Sequence, residues 1–143
     1  MEKLNKHIEI EAPVEKVYEF MGDPKNLLEI WPSMVDVANV QELPDGHMTY
    51  DWTYKMAGIR FNGSSKTTET IENKRSVVVN EGGIPSKFVW EYHPSNEGMT
   101  LDVGIEYEVP TPVLGKLAEK VVVKMNENEA DIMLANLKAV MEA

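Results

Sequence analysis

The sequence predicts an α+β protein: a curved antiparallel sheet of seven strands covered by a long helix at the end of the chain. Three observations predict it. From Met34 to about residue 109 apolar and polar residues alternate with a period of two, and turn signals recur too closely for crossover helices. From Thr111 to the end the apolar spacing becomes helical. Ahead of both lies one more alternating strand, followed by two short helical stretches.

Residues 3–11 form the first strand, with Ile8 and Ile10 on one side and His7, Glu9 and Glu11 on the other. Ala12-Pro13 ends it. Pro13 suits the first turn of a helix, and Val14, Val17, Tyr18 and Met21 continue at spacings of three and four. Gly22-Asp23-Pro24 stops that helix. A second short one runs from Lys25 to Glu29 and closes at Trp31-Pro32.

Six strands come next, near 34–42, 47–56, 60–71, 75–81, 86–93 and 99–109. The turn signals between them are Pro44-Asp45-Gly46, Ala57-Gly58, Glu72-Asn73-Lys74, Gly82-Gly83-Ile84-Pro85 and Pro94 to Gly98. Alternation places Met48, Tyr50, Trp52, Tyr54 and Met56 on one face. Phe88, Trp90 and Tyr92 share a face in the fifth of these strands, as do Met99, Leu101, Val103, Ile105, Tyr107 and Val109 in the sixth. The strand at 60–71 differs. Between Phe61 and Ile71 its inner positions are Gly63, Ser65, Thr67 and Glu69, small or polar where its neighbours supply aromatics. Two readings stand: Gly63 marks a bulge or bend and bulky neighbours fill the space, or the small side chains leave a hollow between sheet and helix.

The closing helix is expected to start with Thr111 as N-cap and Pro112 at its first position. At about 100° per residue, Leu114, Leu117, Ala118, Val121, Val122, Met125, Ile132, Met133, Leu137 and Val140 form one broad stripe. Asn128, Glu129 and Asn136 interrupt it. Such groups either reach water where the helix leaves the sheet, or face a cavity holding water or ligand.

At 143 residues the chain has the length of one domain and needs no covalent staples. It has no cysteine, which removes disulfides, thiolate metal sites and cysteine nucleophiles. With 24 acidic and 14 basic residues the net charge is −10, the wrong sign for a nucleic-acid partner. The opening MEKLNKHIEIEAP has no secretory h-region, and no apolar run approaches the ~20 residues of a membrane span. A cytoplasmic protein without integral membrane association is the default expectation. His7, His47 and His93 are scattered without metal-ligand spacing, so no metal or cofactor is expected. No G-x-S-x-G elbow occurs, and Gly82-Gly83 precedes no helix that could bind phosphate.

The full order of elements resembles the helix-grip (SRPBCC) superfamily, which includes START-like lipid-transfer domains and polyketide cyclase/dehydrases. HIEIEAPVEKVYEFMGDP at 7–24 is similar to that superfamily's opening strand and A-P-V-E-x-V-Y motif. LLEIWPSMVDV at 27–37 and the stretch from Thr111 to Ala143, with Leu137-Lys138, resemble its second segment and closing helix. The resemblance implies one START-like domain over 1–143, with an apolar cavity between sheet and helix.

The residues themselves supply an amphipathic wall for such a cavity. Tyr50, Trp52, Tyr54, Phe61, Ser65, Thr67, Trp90, Tyr92 and Tyr107 are its candidate lining, joined by Met125, and Tyr50, Tyr54, Glu69 and Glu129 are the candidate polar handles. The first functional expectation is a carrier or sensor of a small hydrophobic molecule. An aromatase/cyclase-type enzyme and an adaptor for a protein partner are the alternatives. The sequence offers no paired acid and base in favour of the enzyme.

Overall fold

The computed structural model describes residues 1–115 and 119–143. Strand β1 (Glu2–Ile10) leads into helix α1 (Val14–Met21), a 3-10 turn at Pro24–Asn26 and the short helix α2 (Leu27–Ile30). The meander comes after them: β2 (Met34–Glu42), β3 (Met48–Met56), β4 (Ile59–Ile71), β5 (Arg75–Gly82), β6 (Ser86–Ser95) and β7 (Gly98–Tyr107). Helices α3 (Thr111–Leu114) and α4 (Glu119–Glu142) close the chain. All seven strands form one antiparallel sheet in the order β1-β7-β6-β5-β4-β3-β2. The sequence-based strands agree with this to within about two residues at each end, the usual uncertainty of element boundaries.

The expected single helix from Thr111 is corrected. Thr111 is the first helical residue, not a side-chain cap, and α3 ends at Gly115, whose φ of 84° and ψ of 150° are far from helical. Only glycine adopts that conformation readily, so the break is written into the sequence at that residue. Leu117 and Ala118, expected on the apolar stripe, lie outside the described residues.

Helix α4 buries Val122, Ala130, Met133, Leu134, Leu137 and Met141. Full burial of a large apolar side chain contributes roughly 1.5–3 kcal/mol. Val121, Met125 and Ile132, assigned to the stripe from spacing, are exposed instead. Of the interrupting polar residues, Asn128 is exposed, as the first expectation has it, whereas Glu129 and Asn136 have a third role that neither expectation named. Glu129 Oε1 accepts from the Ser33 backbone N–H at 2.7 Å, and Asn136 Nδ2 donates to the Ile30 carbonyl at 2.9 Å. They satisfy backbone groups left unpaired where α2 gives way to β2. At the far end, Lys138 Nζ donates to the Glu9 carbonyl and pairs with Glu142, both at 2.7 Å. The Glu142 carboxylate in turn accepts from the Glu11 N–H at 2.8 Å. That backbone bond, with Lys138 beside it, holds the Glu142 carboxyl below its usual range. The helix is thus fastened to the α2–β2 junction through Glu129 and Asn136 and to the end of β1 through Lys138 and Glu142, and nearer its start Asn126 and Ala130 border a gap between helix and sheet.

Candidate functional site

The gap is a half-open cavity of about 370 Å³ between the concave face of the sheet and helices α1, α2 and α4. Its size falls in the ~300–1,000 Å³ range of small-molecule sites. The side wall is aromatic. Trp31 meets Tyr54 edge-on at 6.0 Å between centroids and Phe88 at 5.5 Å, Phe88 stacks on Trp90 at 6.1 Å, and Tyr18 meets Tyr92 edge-on at 5.1 Å. Period-two alternation on β3 and β6 brings these rings to one face.

The polar groups lie on the floor. Tyr50 pairs with Ser65 across β3 and β4, and Ser65 with Asn80 across β4 and β5. The Ser65 hydroxyl bonds Asn80 Oδ1, and Asn80 Nδ2 donates to Ser86 Oγ at 2.9 Å. A short ladder of hydrogen-bonding side chains therefore crosses four strands. Ser76 lies between the hydroxyls of Tyr18 and Tyr92, and Asn126 of α4 sits beside Tyr107. Burial raises the pKa of Tyr50, Tyr54, Tyr92 and Tyr107, that of Tyr54 to about 12, and nearby hydrogen bonds offset this only in part. All four remain neutral hydrogen-bond donors and acceptors at physiological pH.

Of the candidate residues, Tyr50, Trp52, Tyr54, Ser65, Thr67, Trp90, Tyr92 and Tyr107 border the cavity together. Four others do not. Phe61 is buried in the core beside Gly83. Met125 lies on the exposed face of α4, because the buried face is set by Val122, Ala130 and Met133. Glu129 is occupied by the Ser33 N–H. Glu69 points away because β4 shifts register between Thr67 and Glu69. Thr67 pairs with Val78 but Glu69 with Val77, so one extra residue reverses the facing of the strand beyond it. On the outer side Glu69 pairs with Arg75, which also reaches Glu91 at 3.5 Å. Substituting Glu69→Gln is accordingly expected to leave ligand affinity unchanged and to shift the denaturation midpoint only slightly, because an exposed pair contributes little. A ligand titration and a urea melt of the variant check both.

Reasoning from the sequence missed Asn80, Ser86, Ser76, Thr70 and Asn126 as lining residues. Two signals could have found them. Ser76, Val78 and Asn80 alternate along β5, and Asn126 lies four residues from both Val122 and Ala130, on the same helical face.

A family model described as polyketide cyclase/dehydrase and lipid transport matches residues 1–142. The chain belongs to that family. This polyketide cyclase/dehydrase and lipid transport family member has no match among curated protein sequences. Solved structures with the same fold include a protein from Thermus thermophilus, 20% identical with a TM-score of 0.83, covering 96% of this chain and 95% of that one. The di-domain ARO/CYC StfQ from the steffimycin biosynthetic pathway is 16% identical with a TM-score of 0.79. The match covers 98% of this chain and 50% of StfQ. A START superfamily protein from Mycobacterium smegmatis is 15% identical with a TM-score of 0.74, covering 98% of this chain and 97% of that one. At these identities the likeness establishes the fold. Among the described residues, no helix of the family member is long and apolar enough to cross a membrane.

Proposed function

We propose that this family member binds a small, mostly apolar molecule in the cavity between the sheet and α4. The observation that carries the reading is the lining: aromatic and aliphatic walls with a few hydrogen-bonding groups, which is the composition of small-molecule sites. Carriage or sensing of the ligand fits better than turnover. Proton-moving catalysis near neutrality needs a group whose pKa lies close to the working pH. The cavity's phenols are shifted upward, away from it. The carboxylates expected to help, Glu69 and Glu129, are both engaged elsewhere.

The chain carries its own reporter, because all three tryptophans, Trp31, Trp52 and Trp90, border the cavity. Addition of a lipophilic extract is expected to shift their emission saturably, and native mass spectrometry of the same sample to show one bound species of discrete mass. Thr67→Leu places a bulkier apolar side chain at a buried lining position. It should fold and lose most of the shift, with affinity reduced about tenfold or more as overpacking removes room for the ligand. A wild-type chain that binds nothing from the extract, or a Thr67→Leu chain that binds equally well, would count against the proposal.

A further inference from the structure

Helix α4 carries a second apolar stripe, on the side turned to solvent. Val121, Met125, Asn128, Ile132, Ala135 and Ala139 are all exposed and follow one another at alternating spacings of four and three residues. That is the spacing of a seam that packs against another helix. Val121, Met125 and Ile132 are 62%, 45% and 46% exposed, although a helix lying on a domain surface ordinarily turns polar residues outward. The stripe lies opposite the buried one of Ala130, Met133, Leu134 and Leu137. It is set apart from the cavity, whose border α4 supplies through Asn126 and Ala130.

The stripe is graded in size, with its bulky members toward the start of the helix and its alanines toward the end. Consider it laid antiparallel on a second copy of itself, the two-fold axis level with Ala130. Val121 then meets Ala139 of the second copy, Met125 meets Ala135 and Asn128 meets Ile132. Large faces small along the seam, the condition for two helix surfaces to interdigitate. A parallel pairing instead sets each residue on its own twin, with bulk on bulk at one end and a gap between alanines at the other. Charge favours the same order. Lys120 and Glu142 come level with each other across the seam at both ends, a positive group beside a negative one. Between them Lys124, Asp131 and Lys138 are already paired within their own chain, with Glu127, Lys6 and Glu142.

We infer that α4 is the contact of a symmetric homodimer, in which two copies pack helix to helix and antiparallel through this outer stripe. From Val121 to Ala139 the stripe is about 27 Å long and one helix, about 10 Å, wide. That footprint is below the ~800 Å² per partner of a standard stable interface. The dimer is therefore weak and forms at raised protein concentration. With a net charge of −10 on each copy it also gains from salt, which screens the long-range repulsion and leaves an apolar seam intact.

Sedimentation velocity over about a hundredfold range of protein concentration is expected to show monomer passing into dimer, earlier at high salt. Met125→Glu sets a carboxylate in the seam and should weaken the dimer about tenfold or more. Ala135→Met alone puts methionine against methionine, and Met125→Ala alone leaves a gap. Each should weaken the dimer, and the double variant, which exchanges the two side chains, should restore it. These positions are exposed, so the fold itself is spared. Orientation is read by cross-linking, because the native chain has no cysteine. A Val121→Cys chain mixed with an Ala139→Cys chain and treated with a short bismaleimide should link to it. The Val121→Cys chain alone should not, since in the antiparallel pair its two copies of that position stand about 27 Å apart.

Monomer at every concentration, with no cross-link in the mixture, overturns the inference. Flotation of that monomer with phosphatidylcholine vesicles would then give the stripe to a lipid surface, and its failure to float would leave the stripe to a helix of a different protein. Val121→Cys chains that link to themselves as readily as to Ala139→Cys chains overturn the antiparallel pairing, as does a double exchange that fails to restore the dimer.

Discussion

Gly63→Val is expected to destabilise the protein by roughly 3 kcal/mol, the upper part of the usual range for overpacking. For a chain of this size that lowers the thermal midpoint by about 10 °C. Gly63 sits on β4 opposite Trp52 on β3 and Gly82 on β5. A side chain built there would overlap the Trp52 ring on one side and the Glu81 carbonyl oxygen on the other. A rotamer change can displace the ring, but the carbonyl belongs to the β4–β5 ladder and cannot move without disturbing it. The cost thus has a backbone component that repacking does not remove. Trp52 also borders the cavity, so the substitution should change the site along with the fold. Calorimetry measures the first effect, and quenching of tryptophan emission by acrylamide the second, since a displaced ring is more accessible. A midpoint within a degree or two of wild type would show that β4 and β5 separate easily at this bend, contrary to the close approach of Gly63 and Gly82.

The same residue shows how far the sequence can be read. Small residues on β4 allow two outcomes, filling by bulky neighbours or a hollow, and both occur on one strand. The Trp52 ring fills the space over Gly63, whereas Ser65 and Thr67 face the cavity. Alternation assigns those two correctly because it is a local property of an extended chain. It fails at Glu69 because the extra residue at Thr68 has no local signature in Lys-Thr-Thr-Glu-Thr. The hairpins are legible for the opposite reason. Ala57 and Gly58 both take positive φ, 51° and 80°, and the dipeptide signals such a turn by itself. On α4 the run Val121-Val122-Val123 allows several phases for the buried face. Spacing alone selects one that turns Met125 toward the core, whereas the residue is exposed. Glu129 and Asn136 are visible as anomalies. Their partners, Ser33 and Ile30, stand 96 and 106 residues away in sequence, and no periodicity connects them. What one sequence conveys here is the set of local faces; which faces close on each other, and what volume remains, depends on contacts made across the whole chain.

Raising the pH above about 10 is expected to destabilise the protein steeply, and the tyrosines around the cavity are the cause. An unfolded chain releases its phenolic protons near pH 10. In the folded state burial holds Tyr54 back to about 12, and Tyr50 and Tyr92 shift in the same direction. Over that interval the unfolded state binds fewer protons than the native state, so stability falls as pH rises. The contribution is fully present below the unfolded pKa and is gone once pH passes the folded one. For Tyr54, two pKa units correspond to at most about 2.7 kcal/mol, reduced by whatever water the open cavity admits. Tyr50 and Tyr92 add losses of the same sign. Urea midpoints measured at intervals from neutral pH upward should stay level and then drop. Tyrosinate absorbance from the buried rings should appear together with the loss of structure, ahead of their native pKa values. Tyr54→Phe should flatten the drop by removing its share. A protein in which every tyrosine titrates smoothly near its free value, with no change in midpoint, would mean that these hydroxyls stand in water. The cavity would then be an open cleft, and its phenols would have lost the low-dielectric setting that makes their hydrogen bonds selective.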